Sequence, residues 1–204
     1  VYTDTPFPNG SSIGNALEVE EAIYILTWHS KICWHPDGLK EQKKLLSKFL
    51  SLIMQKITND GNFDATNIIE DFIANGTARN NFIKLLENHG VSKKTIENIF
   101  KNSFIETIGL KKVFDIITDK RILFKGINQR LIGDFVNFKL GNARYEFGIK
   151  EKSLNNILLY QRPGDIINAG DKIFSVYSTK PATILKNKKE ITNSLLDCVY
   201  FVSL

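Results

Sequence analysis

The first hundred positions carry apolar residues at helical intervals. Ala16, Val19, Ala22, Ile23 and Leu26 follow Gly14-Asn15 at the spacing of one helix face. Leu45, Leu46, Phe49, Leu50, Ile53 and Ile57 predict a second helix. Asp64 is placed to cap a third through Ile68, Ile69, Phe72 and Ile73, with Gly76 just past its end. A fourth runs through Phe82, Leu85 and Leu86 to Gly90, and Ser92 caps a fifth containing Ile96, Ile99 and Phe100. The pattern then changes. Lys112–Ile117 and Ile122–Phe124 read as strands separated by a polar turn, and Leu131–Val136 as a helix, with a strand as the alternative, ending at Gly141-Asn142. Two Gly-Asp turns, Gly164-Asp165 and Gly170-Asp171, punctuate short strands, and Cys198–Val202 is the last strand. The expected fold is α/β, helices packed on a mixed sheet. Residues 1–107 form a partial, mostly helical α/β domain and residues 108–204 a C-terminal α+β region.

At 204 residues the chain can bury a real core, and 43% hydrophobic with 24% charged residues is an ordinary globular composition. No apolar run is long enough for a membrane span. The start, Val1-Tyr2-Thr3-Asp4, has neither an initiator Met nor a basic, apolar leader, and reads as part of a longer or processed chain. Cys33 and Cys198 are far apart and read as reduced thiols, which points to a cytoplasmic location. The net charge of +5 is spread along the chain as a solvated surface; Lys186-Asn187-Lys188-Lys189 is an exposed loop or helix face.

Several local patterns invite sharper readings. Gly90–Ile96 has the outline of a helix-turn-helix, but a capped helix after a Gly stop explains the same residues. Asp134, Glu146 and Lys150 could approach a metal-dependent nuclease site, yet Gly148 stands where the second carboxylate belongs. Cys33, His35 and His29 lie close together without a distant ligand pair for zinc. Nucleic acid is therefore not the expected partner.

The most specific run is Thr3-Asp4-Thr5-Pro6, then Gly10-Ser11-Ser12-Ile13-Gly14-Asn15-Ala16-Leu17-Glu18-Val19-Glu20-Glu21-Ala22. It closely resembles the strand–loop–helix of the thymidine and pyrimidine-nucleoside phosphorylases, which carry Thr-Asp, a Pro/Gly loop, and Gly-Asn-Ala-Leu-Glu-Val followed by Glu-Ala. Later segments resemble the family in order: Ala74–Ala78 with Phe82 and Gly90, then Ile132-Gly133 with Leu140–Arg144, then the paired Gly-Asp turns before Ile173–Tyr177. The segment after Arg144 departs by being Lys-rich.

That resemblance implies a C-terminal part of a glycosyl-transferring enzyme of nucleoside salvage. Such enzymes use phosphate as co-substrate, need no organic cofactor, and release a pyrimidine and a pentose 1-phosphate. In the family the phosphate loop and the Arg, Ser and Lys base clamp lie upstream of the matching segment, and no Gly-rich phosphate loop occurs here. No catalytic or substrate-binding residue is therefore expected in this chain, and alone it should be inactive. Its implied partner is the chain or segment carrying loop and clamp, and the completed protein could be a homodimer. One family site falls partly inside: a monovalent cation, potassium, held by the backbone carbonyls of Asn9 and Ser12 and the carboxylate of Glu21. Hard oxygen donors suit a hard cation. The family has apolar residues at the Asn9 and Ser12 positions, which a carbonyl ligand tolerates. Two alternatives stand beside this: Glu21 as a solvated helical carboxylate, and the whole chain as a non-catalytic binding or structural subunit derived from the same fold.

Overall fold

The computed structural model describes residues 10–27, 36–136 and 154–204. A short strand, β1 (Ser12–Ile13), leads directly into α1 (Asn15–Thr27). Four helices follow: α2 (Pro36–Thr58), α3 (Thr66–Ala74), α4 (Thr77–Asn88) and α5 (Lys93–Lys101), then the single turn α6 (Phe104–Thr107). The rest alternates: β2 (Lys111–Ile117), β3 (Ile122–Ile127), α7 (Gln129–Asp134), β4 (Asn155–Leu159), β5 (Ile166–Ile167), β6 (Lys172–Ser178), α8 (Pro181–Lys186), α9 (Lys188–Leu196) and β7 (Val199–Ser203).

The helix boundaries follow local chemistry. The Asp64 carboxylate accepts from the Thr66 backbone N–H at 2.9 Å and opens α3, one residue before the N-cap position. Gly76 lies between α3 and α4 with φ of 78°, a left-handed conformation in which a side chain would be strained. Ser92 caps α5 by accepting from the Thr95 N–H at 3.2 Å. The Gly stop and Ser cap expected over Gly90–Ile96 are both present.

Two antiparallel sheets organise the described strands, where the sequence pattern suggested one mixed sheet. The four-stranded sheet has the order β1-β4-β6-β2 and the three-stranded sheet β5-β3-β7. β2 and β3, adjacent in sequence, therefore do not form a hairpin. The backbone of Thr118 between them is held instead by the second Gly-Asp turn, with Thr118 N–H donating to the Asp171 carbonyl and Gly170 N–H to the Thr118 carbonyl. Both turns have one design: Asp165 accepts from the Arg162 N–H at 2.6 Å, and Asp171 from the Asn168 N–H at 2.9 Å. The short-strand reading of this segment holds.

The core divides across the larger sheet. Ile157, Leu159, Phe174 and Val176 share one face with Phe114, Ile116, Phe124, Ile184, Ile191 and Leu195 in the main hydrophobic cluster. Leu158 and Tyr177 belong to a second cluster with Ala16 and Leu17 of α1 and with Ile105 and Leu110. β4 is buried along its whole length, so its Asn-Asn-Ile-Leu-Leu sequence shows no alternation and escapes a two-residue periodicity test.

Candidate functional site

The segment 10–21 is built around two adjacent buried carboxylates on α1. Glu20 is 1% and Glu21 3% exposed. The buried stripe is Ala16, Leu17, Glu20, Glu21 and Ile23, while Val19 and Ala22 are exposed. The apolar stripe anticipated from Val19, Ala22 and Leu26 is thus rotated, because two acidic residues turn inward. Each does so by taking up backbone donors, the condition under which a carboxylate can be buried. Glu20 Oε2 accepts from the Phe104 and Ile105 N–H groups at 2.8 and 3.3 Å, closing the N-terminus of α6. Glu21 accepts from the Ser11 N–H at 2.9 Å and the Ser12 N–H at 3.2 Å, one on each oxygen. The solvated reading of Glu21 is therefore overturned: its carboxylate pins the loop before α1.

The loop itself is tightly placed. A Cβ on Gly10 would stand 2.3 Å from both Gln42 Nε2 of α2 and Glu21 Oε2, so a larger residue there would displace these side chains. Gly14, at φ of 114°, brings the chain into α1, and a Cβ there would meet Asn156 Oδ1 at 2.6 Å. That Asn156 oxygen accepts from the Ala16 and Leu17 N–H groups at 3.0 and 3.1 Å. A side chain of β4 thereby satisfies two orphan donors in the first turn of α1.

No Lys or Arg among the described residues pairs with the Glu21 carboxylate. The Leu159 N–H donates to the Ser11 carbonyl at 2.8 Å, which makes Ser11 and Leu159 a hydrogen-bonded pair. Ser12, paired with Leu158, then points its carbonyl away from β4, toward the edge where its N–H meets Glu21. The buried Ser11 and Ser12 hydroxyls have no hydrogen-bond partner among the described residues. Asn9, the third expected ligand, lies outside the described residues.

Of the other sequence candidates, most lie outside the described residues. Asp134 ends α7, whereas Glu146 and Lys150 lie outside the described residues, as do Cys33, His29 and His35. His89 is exposed at the end of α4 and bonds the Leu85 carbonyl through Nδ1 at 2.8 Å. Cys198 is a buried free thiol bonded to the Ser194 carbonyl. Among the described residues no group of three or more His, Cys, Asp or Glu could hold a metal, and no helix is long and apolar enough to cross a membrane. Sequence reasoning found Glu21 but missed Glu20, Gln42 and Asn156. Only the unbroken Glu20-Glu21 pair inside a helical apolar pattern could have signalled a buried acidic edge.

No protein-family model matches the chain. Among curated proteins, its relatives along nearly the whole length are nucleoside phosphorylases, the class to which the Ile13–Ala22 motif is similar. Two are named thymidine phosphorylase: one from Metamycoplasma hominis, 29% identical over 98% of the chain, and one from Mycoplasmoides pirum, 27% identical over 84%. A pyrimidine-nucleoside phosphorylase of Staphylococcus haemolyticus is 24% identical over 88%. The resemblance to this family therefore extends well beyond the motif. The chain spans only 66%, 38% and 39% of these relatives' lengths, respectively.

Proposed function

We propose that the chain is the C-terminal part of a pyrimidine-nucleoside phosphorylase of the thymidine phosphorylase type, active when a segment carrying the phosphate loop and base clamp completes it. The observation that supports this most directly is the 10–21 segment. The residues that resemble the family are also those that build a buried carboxylate, an outward carbonyl and a fixed helix start. In the completed reaction a phosphate oxygen bonds to C1′ of the pentose as the C1′–N1 bond breaks. The bond's electron pair leaves with the pyrimidine, which takes up a proton. This chain supplies no reacting group; it supplies a rigid shelf against which the phosphate loop would rest.

The donor set around Glu21 fits potassium. Ser12 and Asn9 would contribute carbonyls and Glu21 its carboxylate, and the bound ion would tie the phosphate loop to the start of α1. Glu21 holds the Ser11–Ser12 backbone in place whether or not the ion is there.

Thymidine and phosphate are the test substrates, with release of thymine as the readout. The isolated chain should release none, and robust turnover by the pure chain would sink the proposal. The chain joined to the complementary part of the Metamycoplasma hominis relative should release thymine faster in potassium than in choline salts. Glu21→Gln should remove that preference. Assembly without turnover would favour the second reading, a binding or structural subunit.

A further inference from the structure

Helix α2 half-buries Leu45, Leu50 and Met54 but leaves a full row of apolar residues in water. A surface helix turns its apolar stripe inward and its polar face to water. Here Ser47 is buried, and the Ser51 hydroxyl accepts from the Ala65 N–H at 2.9 Å while donating to the Ser47 carbonyl at 2.7 Å. Gln55 Nε2 donates to the Phe63 carbonyl at 2.9 Å on the same side. The helix thus docks on the start of α3 through serines and an amide. An apolar stripe faces out: Leu46 is 52%, Phe49 43%, Ile53 53% and Ile57 71% exposed.

These four residues follow Gln42 in steps of four, three, four and four, which places all five on one helical face. Gln42 is the residue whose amide stands against Gly10 beside the Glu21 carboxylate. The exposed stripe is therefore continuous with the candidate cation site, running from Ile57 up to Gln42. Lys40, Lys44 and Lys48 lie on a different ridge and line a cleft of about 680 Å³ toward α3, while the exposed Lys56, three residues after Ile53, borders the stripe at its C-terminal end. An apolar row of this length on one helix marks an interaction surface.

We propose that the Leu46–Phe49–Ile53–Ile57 face of α2 is the docking surface for the polypeptide segment that completes the site, the counterpart of the part of the relatives' length that this chain does not span. The inference rests on the phosphorylase reading for the identity of that segment. A chain lying along the stripe reaches Gln42 and there arrives beside Glu21 and Ser12, where a further set of oxygen ligands is needed. The contact is apolar along the helix and polar at its end, so docking and completion of the cation site are one event.

The test uses the full 204-residue chain and, produced separately, the part of the Metamycoplasma hominis relative outside the region matched here. Light scattering after gel filtration should show a one-to-one complex. Phe49→Asp and Ile53→Asp should each weaken it by roughly tenfold or more, as loss of a buried apolar anchor does. Lys44→Glu, on the other ridge, should leave it unchanged. Both Asp variants alter exposed positions, and their circular-dichroism melts should match the parent chain. Hydrogen exchange in the complex should slow at residues 42–57 and 10–21 together. Absence of a complex, or a complex equally weakened by Lys44→Glu, overturns the proposal. So does a homodimer of the isolated chain that Phe49→Asp dissolves, or binding to phosphatidylglycerol vesicles through the same residues without binding the segment. A complex that needs Phe49 but releases no thymine keeps the docking surface and removes the catalytic reading. Thymine release that Phe49→Asp does not alter keeps the catalytic reading and removes the docking surface.

Discussion

At Asn156 a single amide oxygen holds the first turn of α1 from a strand 140 residues away in sequence. Asn156→Ala would leave the Ala16 and Leu17 N–H groups buried without an acceptor. The expected loss is about 1–3 kcal/mol of folding stability, read from the urea midpoint. Asn156→Asp keeps an acceptor and places a negative charge at a helix N-terminus, so it should lose less. An equal loss in both variants would contradict the capping role. Asn156 illustrates what residue type alone conceals. An Asn in an Asn-Asn pair reads as a turn former, and nothing local announces that it will serve a helix from inside a sheet. Glu21 was legible because it sits in a long motif. Its burial was not, since a helical carboxylate is ordinarily solvated and its two amide partners are set by a loop turning back on the helix.

Among the elements, the polar seam between β2, β4 and β6 carries the clearest pH signature. The Ser175 hydroxyl donates to Asp115 and lies 2.8 Å from the Tyr160 hydroxyl; Lys172 and Lys112 reach Asp115 at 3.1 and 3.2 Å. Burial pushes the Asp115 carboxyl up, but the hydrogen bonds from Ser175, Lys172 and Lys112 outweigh it and hold the group below its ordinary value. A depressed folded value stabilises the fold above the unfolded carboxylate range near about 4, and the contribution is lost as pH falls through the folded value. Stability should therefore fall as pH drops below the unfolded carboxylate range, and Asp115→Asn should flatten that fall, measured as urea midpoints across the acid range. An unchanged acid slope in the variant would show that Asp115 does not contribute. The elements most legible in sequence were those whose signals are local: the Ser92 cap, the Gly76 and Gly90 stops, and the two Gly-Asp turns. β4 was not legible because burial on both faces erases alternation, and the division of β2 and β3 between sheets was not because pairing partners are chosen at long range. α2 was found as a helix, but nothing local announced that Leu46, Phe49, Ile53 and Ile57 would face solvent.

For the whole molecule, β1 and α1 lie at one end of the chain and depend on β4 near the other. A chain stopped after residue 150 keeps α1 through α6 but has no strand for β1 and no cap for α1. Limited thermolysin digestion of that truncated chain should cut within residues 10–27, whose apolar residues it recognises, a region resistant in the full chain. Equal resistance in both would show that the helices alone support α1. The same long-range pairing has a consequence for the order in which the protein can be made. A ribosome adding about 5–20 residues per second leaves the stretch between α1 and β4 incomplete for roughly 7–30 seconds. Throughout that interval the nascent chain displays a helix start without its acceptor. β4 thus acts as a delayed latch, and residues 10–21 acquire their shape only once it has been made.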